Sequence, residues 1–571
     1  MSGIFGWYNP YEKRFAGEQS ATKIFDEKRY TVVYSGELYN CRELRQKLEK
    51  RGYRFETTGD TEVVLNGLFT YGTDFVKQMN GVFAFAFYDE RQEILHLFRD
   101  RIGVKPLFYT KQGETIFFAS EMETLLANSG VKPVLDRKGL NEVFSIGPAK
   151  TYGCGVFKGI DEVLPGHLLS YSKKGSNSSC YWKLISKAHE EGYEETVEKT
   201  ASLLEDAVKR QMVSDVPVCT FLSGGVDSSL VSAICARELK KEGERLHTFS
   251  FDFTGNDKNF HASTFQPSQD RPYVEQMVQF LDSEHHYLEC DYRTQADYLY
   301  ASIDARGLPA MADVDSSLLY FCSQVAEEFK VALTGECADE IFGGYPWFHK
   351  KECLEAHTFP WTMDLKPRCA MLSDDFLEVL QMEEYVRETY EKSVAETPRL
   401  AGESKEEARR REISYLNQKW FMQTLLNRME LTSTHYGLSA RVPFADYRIV
   451  EYLWNVPWKM KAKSGMVKGL LREAGRGLLP DEILFRRKSP YPKTYDTKYE
   501  AVLVKRMCEI MADSSSPIRP FLDAKKVERF LSGPSDYGKP WYGQLMAAPQ
   551  MIAYLIQINY WLEKYEIKIE L

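Results

Sequence analysis

The fold-deciding stretch of this 571-residue chain is Phe221-Leu222-Ser223-Gly224-Gly225-Val226-Asp227-Ser228-Ser229. It follows Val216-Pro217-Val218-Cys219-Thr220, an apolar and β-branched run typical of a buried strand. It precedes Leu230-Val231-Ser232-Ala233-Ile234-Cys235-Ala236, which is typical of the start of a helix. Two glycines at such a turn let backbone N–H groups approach an anion without obstruction by Cβ atoms. Because the helix N-terminus adds free donors and a partial positive charge, the sequence predicts a phosphate-binding turn.

The polar side chains of this turn extend that prediction to a nucleotide. Asp227 supplies a carboxylate where a phosphate-bound Mg²⁺ would lie, and Ser228 and Ser229 supply hydroxyl donors. No lysine follows the glycines, so the turn is not a GxxxxGK[ST] loop. It resembles the SGGxDS pyrophosphate loop of the ATP pyrophosphatases, which adenylate a substrate and release pyrophosphate. The alternative is a glycine-rich turn with a capping serine and no ligand.

Composition limits the classes of protein that fit. A chain of 571 residues with 43% hydrophobic and 27% charged residues is typical of a globular protein of two or three domains. The net charge of −9 disfavours a nucleic-acid partner. Neither a membrane-spanning run nor a signal pattern is found, so no membrane association is expected. The 11 cysteines form no CxxC pair, which favours reduced thiols and a cytoplasmic location over disulfides or a zinc site. The adjacent His285 and His286 are expected to end a helix or to enter a strand rather than to bind a metal.

The chain divides by pattern into two parts. Residues 1–185 are strand-rich and are predicted to form one domain. Its predicted strands are 31–34, 81–88 and 115–119, and its predicted helices include 42–50 and 61–70. A polar, Gly/Ser-rich run at 171–179 predicts a hairpin tip or a domain edge.

Residues 195–571 are predicted to form the second domain. Apolar residues repeat every three or four positions over 197–212, which predicts a long amphipathic helix. Strand-like segments then alternate with helical ones, which predicts a parallel sheet with binding loops at the carboxyl ends of its strands. The predicted strands are 216–222, 246–253, 286–290 and 331–334. From about residue 350 the pattern is helical.

A second chemical cluster follows the last of these strands. Thr334-Gly335-Glu336-Cys337-Ala338-Asp339-Glu340 places three carboxylates within five residues, which is costly unless they are solvated or face cations. Asp339 could meet Mg²⁺–pyrophosphate opposite Asp227, and Glu336 could act as a base or orient a nucleophile. The alternative is an acidic helix start, which the helix dipole also favours.

Together the motifs closely resemble those of the asparagine synthetase family, over nearly the whole chain. The resemblance implies an α/β fold, in which an N-terminal Ntn-type αββα sandwich, like a glutamine amidotransferase, precedes a HUP-like parallel-sheet ATP-pyrophosphatase domain with a helical C-terminal region. The motifs that carry it are SGGVDSS at 223–229, TGECADEIFGGY at 334–345, GLSARVPFAD at 437–446, LREAGRGLLPDEILFRRKSPYPK at 471–493, GELYN at 36–40, GDTEVV at 59–64, NGVFAFAFYD at 80–89 and RDRIGVKPLFY at 99–109.

The family implies ATP-dependent amidation of aspartate through β-aspartyl-AMP, giving asparagine, AMP and pyrophosphate. ATP, aspartate and either glutamine or ammonia are thus the implied partners, and the sequence leaves a homodimer open. Glu336 and Lys488 match residues that act on the acyl-adenylate and the phosphates. Asp227 and Asp339 match the contacts to Mg²⁺. The implied ATP-binding residues are Leu222, Ser223, Gly224, Gly225, Asp227, Ser228, Ser229, Phe251, Thr334 and Gly335.

The N-terminal domain departs from the family pattern at three places. Members that hydrolyse glutamine begin Met-Cys-Gly-Ile, whereas Ser2 stands at the position of the nucleophile here, and a hydroxyl is the weaker nucleophile. The family sequence Asn-Gly-Glu is replaced by Ser35-Gly36-Glu37, and losing one oxyanion-hole donor costs about 2.7–4 kcal/mol. Residues 8–29 are too few to hold the usual arginine-bearing loop. Asp60 and Glu37 remain from the glutamine-binding set. We therefore expect weak or absent glutamine hydrolysis, with ammonia as the nitrogen source.

The site of the acceptor is less well defined. Many relatives carry an arginine before the second cluster, but residues 307–329 contain no arginine or lysine. Arg306, Lys468 or Lys493 could replace it; otherwise the acceptor is not aspartate. A related ATP-dependent ligase that forms an amide or lactam on another substrate therefore stays open. A non-catalytic binding protein and a tRNA-modifying pyrophosphatase are further alternatives, disfavoured by the intact motifs and by the acidic charge.

Overall fold

The computed structural model describes residues 3–18, 20–25, 27–260, 268–533, 541–543 and 545–571. The chain folds into two compact units. The first unit comprises residues 1–134 and 151–185, and the second comprises residues 135–150 and 186–571. Ser2 lies outside the described residues.

The first unit contains two antiparallel sheets. The first sheet has five strands, in the spatial order Ile160–Glu162, Phe108–Gln112, Thr115–Ala119, Phe5–Asn9 and Arg14–Gly17. The second sheet has six strands, in the spatial order Gly175–Cys180, His167–Ser172, Ile94–Arg99, Gly81–Asp89, Lys28–Leu38 and Ser20–Phe25. The hairpin predicted at 171–179 is the pairing of the first two strands in that order.

The strand Gly81–Asp89 contributes side chains to two different cores, one on each face of its sheet, which explains the layers of the first unit. Its side chains alternate between faces, as a strand period of two requires. Phe83, Phe85 and Phe87 lie in a core with the helices of one face, whereas Ala84 and Ala86 lie in a core with Tyr8 and Phe118 of the other sheet. The helices of this unit are Cys41–Glu49, Asp60–Tyr71 and Met122–Ser129. The layer order confirms the predicted αββα sandwich.

The second unit contains a five-stranded sheet that is parallel throughout. Its spatial order is Glu284–Cys290, His247–Phe253, Val218–Phe221, Val331–Leu333 and Ser439–Arg441. Four of these strands were predicted from sequence, whereas the fifth, only three residues long, was not. Val218–Phe221 is central and lies beside Val331–Leu333, with Cys219 opposite Ala332. This pairing brings the glycine turn and the acidic segment to the same edge of the sheet.

Helices dominate the rest of the second unit, as predicted. The helices of nine or more residues are Tyr193–Met212, Val226–Lys241, Arg271–Leu281, Tyr292–Arg306, Asp313–Glu328, Met382–Ala395, Lys405–Leu416, Gln423–His435, Tyr447–Asn455, Thr497–Ala512, Ala524–Ser532 and Ala548–Lys564. Shorter α-helices are Arg137–Asn141, Asn256–Asn259, Ala338–Phe342, Lys351–Glu355, Lys366–Cys369, Asp374–Leu380, Trp458–Lys461, Gly469–Ala474 and Asp481–Leu484. Within the described ranges no helix is long and apolar enough to cross a membrane. All 11 cysteines are free thiols.

Candidate active site

The glycine turn joins the central strand to the helix Val226–Lys241, as the sequence predicted. Gly225 caps this helix, and the side chain of Ser228 folds back onto the turn. The Ser228 Oγ accepts the Ser223 N–H at 3.1 Å and lies 2.9 Å from the Ser223 Oγ. Gly224 has a φ of +67°, and a Cβ there would lie 2.7 Å from the Tyr273 Cβ. The turn therefore requires glycine both for its conformation and for space.

Arg486 fastens the turn from the opposite side. Its Nη1 donates to the Ser223 carbonyl oxygen at 3.0 Å, and its Nη2 pairs with the carboxylate of Asp270. The guanidinium also lies 4.0 Å from the centre of the Tyr273 ring. Because the Arg486 side chain is only 2% exposed, this pair is part of the scaffold of the turn rather than a mobile surface cation.

The acidic segment packs directly against the turn. A Cβ on Gly335 would lie 2.7 Å from the Ser228 backbone nitrogen and 3.0 Å from the Asp227 carbonyl carbon. Only a glycine therefore allows the two backbones to approach this closely. Asp339 lies in the short helix Ala338–Phe342, one turn beyond Gly335. The two clusters that the sequence predicted separately form one site.

Two lysines connect the carboxylates of this site. The Lys468 Nζ lies 2.6 Å from the Asp227 Oδ2 and 2.7 Å from the Asp339 Oδ1. The Lys488 Nζ lies 2.5 Å from the Asp339 Oδ2. Burial opposes the ionisation of Asp339, but the two lysines outweigh it and hold the pKa of Asp339 well below its ordinary value. Burial raises the pKa of Asp227, and Lys468 offsets this only in part.

Glu336 is held by a cation of its own. Its Oε1 accepts from the Nη2 of Arg428 at 2.9 Å, and its backbone N–H donates to the Thr334 Oγ1 at 3.3 Å. Arg428 comes from the helix Gln423–His435, and its side chain is 4% exposed. Burial lowers the pKa of Arg428, but the negative charge of Glu336 outweighs this and raises it. The guanidinium is therefore charged, and it fixes the position of the Glu336 carboxylate.

Glu340 differs from the other two carboxylates of the segment. Its Oε1 accepts a hydrogen bond from the Tyr345 Oη at 2.6 Å, and both residues are buried. Burial and the nearby charge of Asp339 raise the pKa of Glu340 to about 8, although the Tyr345 hydrogen bond opposes this. At neutral pH the Glu340 carboxyl is therefore mainly protonated.

A cavity of about 270 Å³ lies between these groups. It is lined both by the charged cluster and by an apolar end that includes Leu222 and Phe251. Phe251 stacks with Tyr491 at a ring distance of 6.2 Å. A charged end beside a flat apolar end suits a ligand with a phosphate tail and an aromatic base. Thr334 and Gly335 also line this cavity.

The structure brings together the predicted synthetase residues. All of them except Gly224 and Ser229 line this one cavity. Ser229 is fully buried behind the turn. Of the three cations suggested for the acceptor, Arg306 is paired with buried Asp315 at 2.7 Å, and Lys468 bridges the two aspartates. Lys493 lies over the Tyr495 ring.

Sequence reasoning missed two functional candidates. It considered Lys468 only for the acceptor, and it did not single out Arg428. Lys468 directly precedes the helix Gly469–Ala474 and Arg428 lies in the helix Gln423–His435, and at neither position does a single cation give a periodic signal of its own. The contacts that distinguish them are made to carboxylates 241 and 92 residues away in the chain.

The glutamine-binding residues predicted for the first unit also lie close together. Ser35, Gly36 and Glu37 are in the strand Lys28–Leu38. Asp60 begins the helix Asp60–Tyr71, and its Oδ2 accepts the Leu38 N–H at 2.7 Å. Asp60 is therefore fastened to the end of the strand that carries the other three residues. The structure does not describe Ser2.

Comparison with known proteins agrees with this arrangement. The family model described as asparagine synthase matches residues 199–563, and that described as a glutamine amidotransferase domain matches residues 14–182. An asparagine synthetase [glutamine-hydrolyzing] 3 of Bacillus subtilis is 46% identical over 97% of this chain and 90% of its own length. This chain belongs to the asparagine synthase family. The predictions of the family, of an ATP-dependent carbon–nitrogen ligase and of an amidotransferase-like first domain are thereby confirmed.

More distant relatives show how the family varies. An asparagine synthetase [glutamine-hydrolyzing] 1 of Bacillus subtilis is 27% identical over 82% of this chain and 76% of its own length. A protein named amidase chyE of Penicillium rubens is equally similar, at 27% over 81% of this chain and 76% of its own length. Among solved structures, the glutamine phosphoribosylpyrophosphate amidotransferase of B. subtilis matches 50% of this chain and 81% of its own, at 13% identity and a TM-score of 0.24, which is too low to support an argument.

Proposed function

We propose that this chain converts aspartate to asparagine with ATP, through β-aspartyl-AMP, and that it takes its nitrogen from ammonia. The observation that carries the proposal is the single cavity in which the glycine turn, the acidic segment and the two lysines meet. In the first step an oxygen of the aspartate side-chain carboxylate attacks the α-phosphorus, and the bond to pyrophosphate breaks. In the second, the nitrogen of ammonia attacks the acyl carbon, AMP leaves, and one proton is lost.

The residues present fit a phosphate-bound Mg²⁺. Asp227 and Asp339 offer carboxylate oxygens, which are the ligands that Mg²⁺ prefers. The Asp227 Oδ1 is buried and has no hydrogen-bond partner in the part of the chain that the structure describes. Asp339 is held anionic by its lysines. When bound, the ion would neutralise charge on the pyrophosphate leaving group. We therefore assign Asp227 and Asp339 as its protein contacts.

Lys468 and Lys488 can exchange their aspartate partners for phosphate oxygens when the nucleotide binds. Asp227 and Asp339 are paired with Lys468 and Lys488, and Glu336 is paired with Arg428, so each of these carboxylates has an opposite charge beside it. An arriving metal–polyphosphate could take both lysines as donors and both aspartates as ligands without leaving a buried charge unpaired. The N–H groups of the turn and the N-terminus of the helix Val226–Lys241 would bind the pyrophosphate oxygens.

Glu336 is proposed to act at the acyl-adenylate. Its carboxylate lines the cavity beyond Asp339 and is fixed by Arg428. A fixed carboxylate there can orient the ammonia nucleophile and accept a proton from it, provided that it stays ionised. Arg428 holds this carboxylate in place through its Nη2. Arg428 is therefore a positioning residue, and Glu336 the group that touches the reacting atoms.

Three features of the first unit support ammonia as the nitrogen source. Ser2 replaces the cysteine nucleophile, and Ser35 replaces the asparagine of the oxyanion hole. The described residues between Asn9 and Lys28 form the strands Arg14–Gly17 and Ser20–Phe25 with short connections. These two strands occupy most of the described residues of the segment, which leaves little length for a further loop that could bind the glutamine carboxylate.

The test is pyrophosphate release by the full chain with ATP–Mg²⁺ and aspartate, with ammonium or glutamine supplied in parallel. Turnover with ammonium and not with glutamine is the expected result. Equal turnover with glutamine would refute the choice of ammonia but not the synthetase reaction. No pyrophosphate with aspartate would refute aspartate as the acceptor and favour a ligase for another carboxylic acid.

A matched pair of variants tests the assignment of Asp227. Asp227→Asn keeps the size of the side chain but removes the charge, and it should abolish pyrophosphate release while the melting temperature stays near that of the parent. Asp215→Asn makes the same change at an exposed position before the central strand and should leave the rate unchanged. Activity retained in Asp227→Asn would contradict the metal assignment.

A further inference from the structure

A cluster of possible metal ligands lies at the outer strands of the parallel sheet. His247 begins the strand His247–Phe253, and Glu284 and His286 belong to the neighbouring edge strand Glu284–Cys290. Glu284 is directly opposite His247, and His286 is two residues further along its strand. Because side chains alternate along a strand, His247, Glu284 and His286 lie on the same face of the sheet.

The distances within the cluster suit coordination of one ion. The His247 Nδ1 lies 3.2 Å from the His286 Nε2 and faces it as a hydrogen-bond partner that the ion would replace. The other ring nitrogen of His247, Nε2, lies 3.8 Å from the Glu284 Oε2, so the carboxylate must turn to join an ion bound at Nδ1. One ligand atom from each of the three residues can be chosen so that all lie within 4.8 Å of one another. Two imidazole nitrogens bound to a tetrahedral zinc ion, each about 2.0–2.1 Å from it, would be about 3.3 Å apart. The observed separation of the nitrogens is therefore close to that of a bound pair.

Packing holds the two imidazoles in place, whereas the carboxylate is free to adjust. The His286 ring stacks on Phe249 at 4.4 Å with an interplanar angle of 9°, and the His247 ring lies 5.0 Å from that of Phe329. The Glu284 side chain is 56% exposed, so a change of rotamer can bring its oxygen closer to the imidazoles at little cost. With two imidazole nitrogens and one carboxylate oxygen bound, a four-coordinate ion would have its fourth position open to water.

The adjacent His285 does not share this arrangement. It points to the other face of the sheet, where its ring nitrogens lie 2.9 Å from the Thr248 Oγ1 and 2.9 Å from the Ser250 Oγ. Burial lowers the pKa of His285 to about 4. Of the two structures that the sequence left open for this pair, the end of a helix and the start of a strand, the strand is found for both histidines, and His286 alone joins the cluster.

We propose that His247, Glu284 and His286 bind one divalent transition-metal ion, such as Zn²⁺, that clamps the edge strand to its neighbour. Imidazole and carboxylate ligands suit zinc and its first-row neighbours rather than Mg²⁺. The catalytic cavity comes close to this cluster, since Phe249, whose ring stacks on His286, is one of the residues that line it. None of the three described residues His247, Glu284 and His286 lines that cavity, so the ion is distinct from the Mg²⁺ proposed for the reaction.

The test is a titration of the metal-free full chain with Zn²⁺, followed by calorimetry and by melting temperature. Cys180 and Cys508 are exposed thiols that could bind zinc themselves, so the parent for this experiment carries Cys180→Ser and Cys508→Ser. We expect one Zn²⁺ to bind and to raise the melting temperature, since a ligand that binds only the folded state stabilises it. Titration with Co²⁺ should give the visible absorption of a protein-bound ion.

Variants in this parent locate the site. His286→Ala and Glu284→Gln should each weaken Zn²⁺ binding by about tenfold or more and remove the Co²⁺ absorption. His357→Ala removes an exposed imidazole elsewhere in the second unit and should leave both signals unchanged. Stoichiometric binding that survives in His247→Ala and His286→Ala alike, or no binding by the parent at micromolar Zn²⁺, would overturn the proposal.

Discussion

The Lys468 Nζ lies 2.6 Å from the Asp227 Oδ2, although 241 residues separate the two in the chain. Lys468 precedes the helix Gly469–Ala474 with a φ of +55°, a conformation that is uncommon for a residue with a side chain. Its side chain is 3% exposed. A cation that is buried and held in a strained backbone conformation is usually retained for a function. Here it lies between Asp227 and Asp339, the two residues that we propose as contacts of the Mg²⁺–pyrophosphate.

Lys468→Met should therefore lower pyrophosphate release by about 10²–10³-fold, because an electrostatic contact to the developing negative charge is lost. The variant also leaves Asp227 and Asp339 facing each other without the cation between them, so their affinity for Mg²⁺ should change. The measurement is the steady-state rate as a function of Mg²⁺ and ATP. Lys463→Met, an exposed lysine of the same segment, is the control and should behave as the parent does. A Lys468→Met rate within a few-fold of the parent would exclude Lys468 from the reaction.

Gly335→Ala tests whether the close approach of the acidic segment to the glycine turn is needed for stability and for binding ATP. The added Cβ would lie 2.7 Å from the Ser228 nitrogen and 3.0 Å from the Asp227 carbonyl carbon, so one backbone segment must move. We expect a loss of about 1–3 kcal/mol in the free energy of unfolding and a higher KM for ATP. Chemical denaturation measures the free energy of unfolding, and initial rates measure the KM for ATP. Gly533→Ala adds a Cβ that lies 3.4 Å from the nearest atom and should change neither.

Much of the site could be predicted from sequence because its anchors are local. The Ser-Gly-Gly turn lies between a β-branched strand and a helix, and the acidic segment follows another strand. Both boundaries are visible as changes of periodicity. The parallel pairing of Val218–Phe221 with Val331–Leu333 then brings the two together. The sequence therefore singled out Asp227, Asp339 and Glu336 without coordinates, and the structure brings all three to one cavity.

The cations and the last strand could not be predicted in the same way. Lys468 and Arg428 are distinguished only by their contacts to carboxylates that are far away in the chain. In sequence, an isolated lysine or arginine at these positions looks the same as one that is exposed to solvent. Ser439–Arg441 is a strand only because its three residues pair with Val331–Leu333. The metal cluster depends on the register that places His247 beside His286, which sequence spacing alone does not fix.

Ser2→Cys should not make this chain an efficient glutaminase. A thiol is a better nucleophile than a hydroxyl. The change does not, however, restore the asparagine amide that Ser35 replaces in the oxyanion hole, and it does not supply an arginine to bind the glutamine carboxylate. We expect glutamate release from glutamine to stay well below the ammonium-dependent rate, as measured by coupled assays on the same preparation. The double variant Ser2→Cys with Ser35→Asn restores the nucleophile and one donor. High glutaminase activity in the single variant would show that the short segment at 8–29 still binds glutamine.

The raised pKa of Glu340 predicts a specific dependence of stability on pH. Folding shifts this pKa upward, from an ordinary value of about 4.5 to about 8. Between these two values the folded state binds more protons than the unfolded state does, so the Glu340 contribution is fully present below pH 4.5 and is lost as pH rises through 8. Glu340→Gln cannot ionise, and its amide oxygen can still accept from Tyr345. The melting temperature of Glu340→Gln relative to the parent should therefore increase as pH rises from 5 to 8. The control Glu352→Gln, at an exposed position, should show no such trend. If the difference in melting temperature between Glu340→Gln and the parent does not change with pH, Glu340 is already ionised in the folded protein at pH 5.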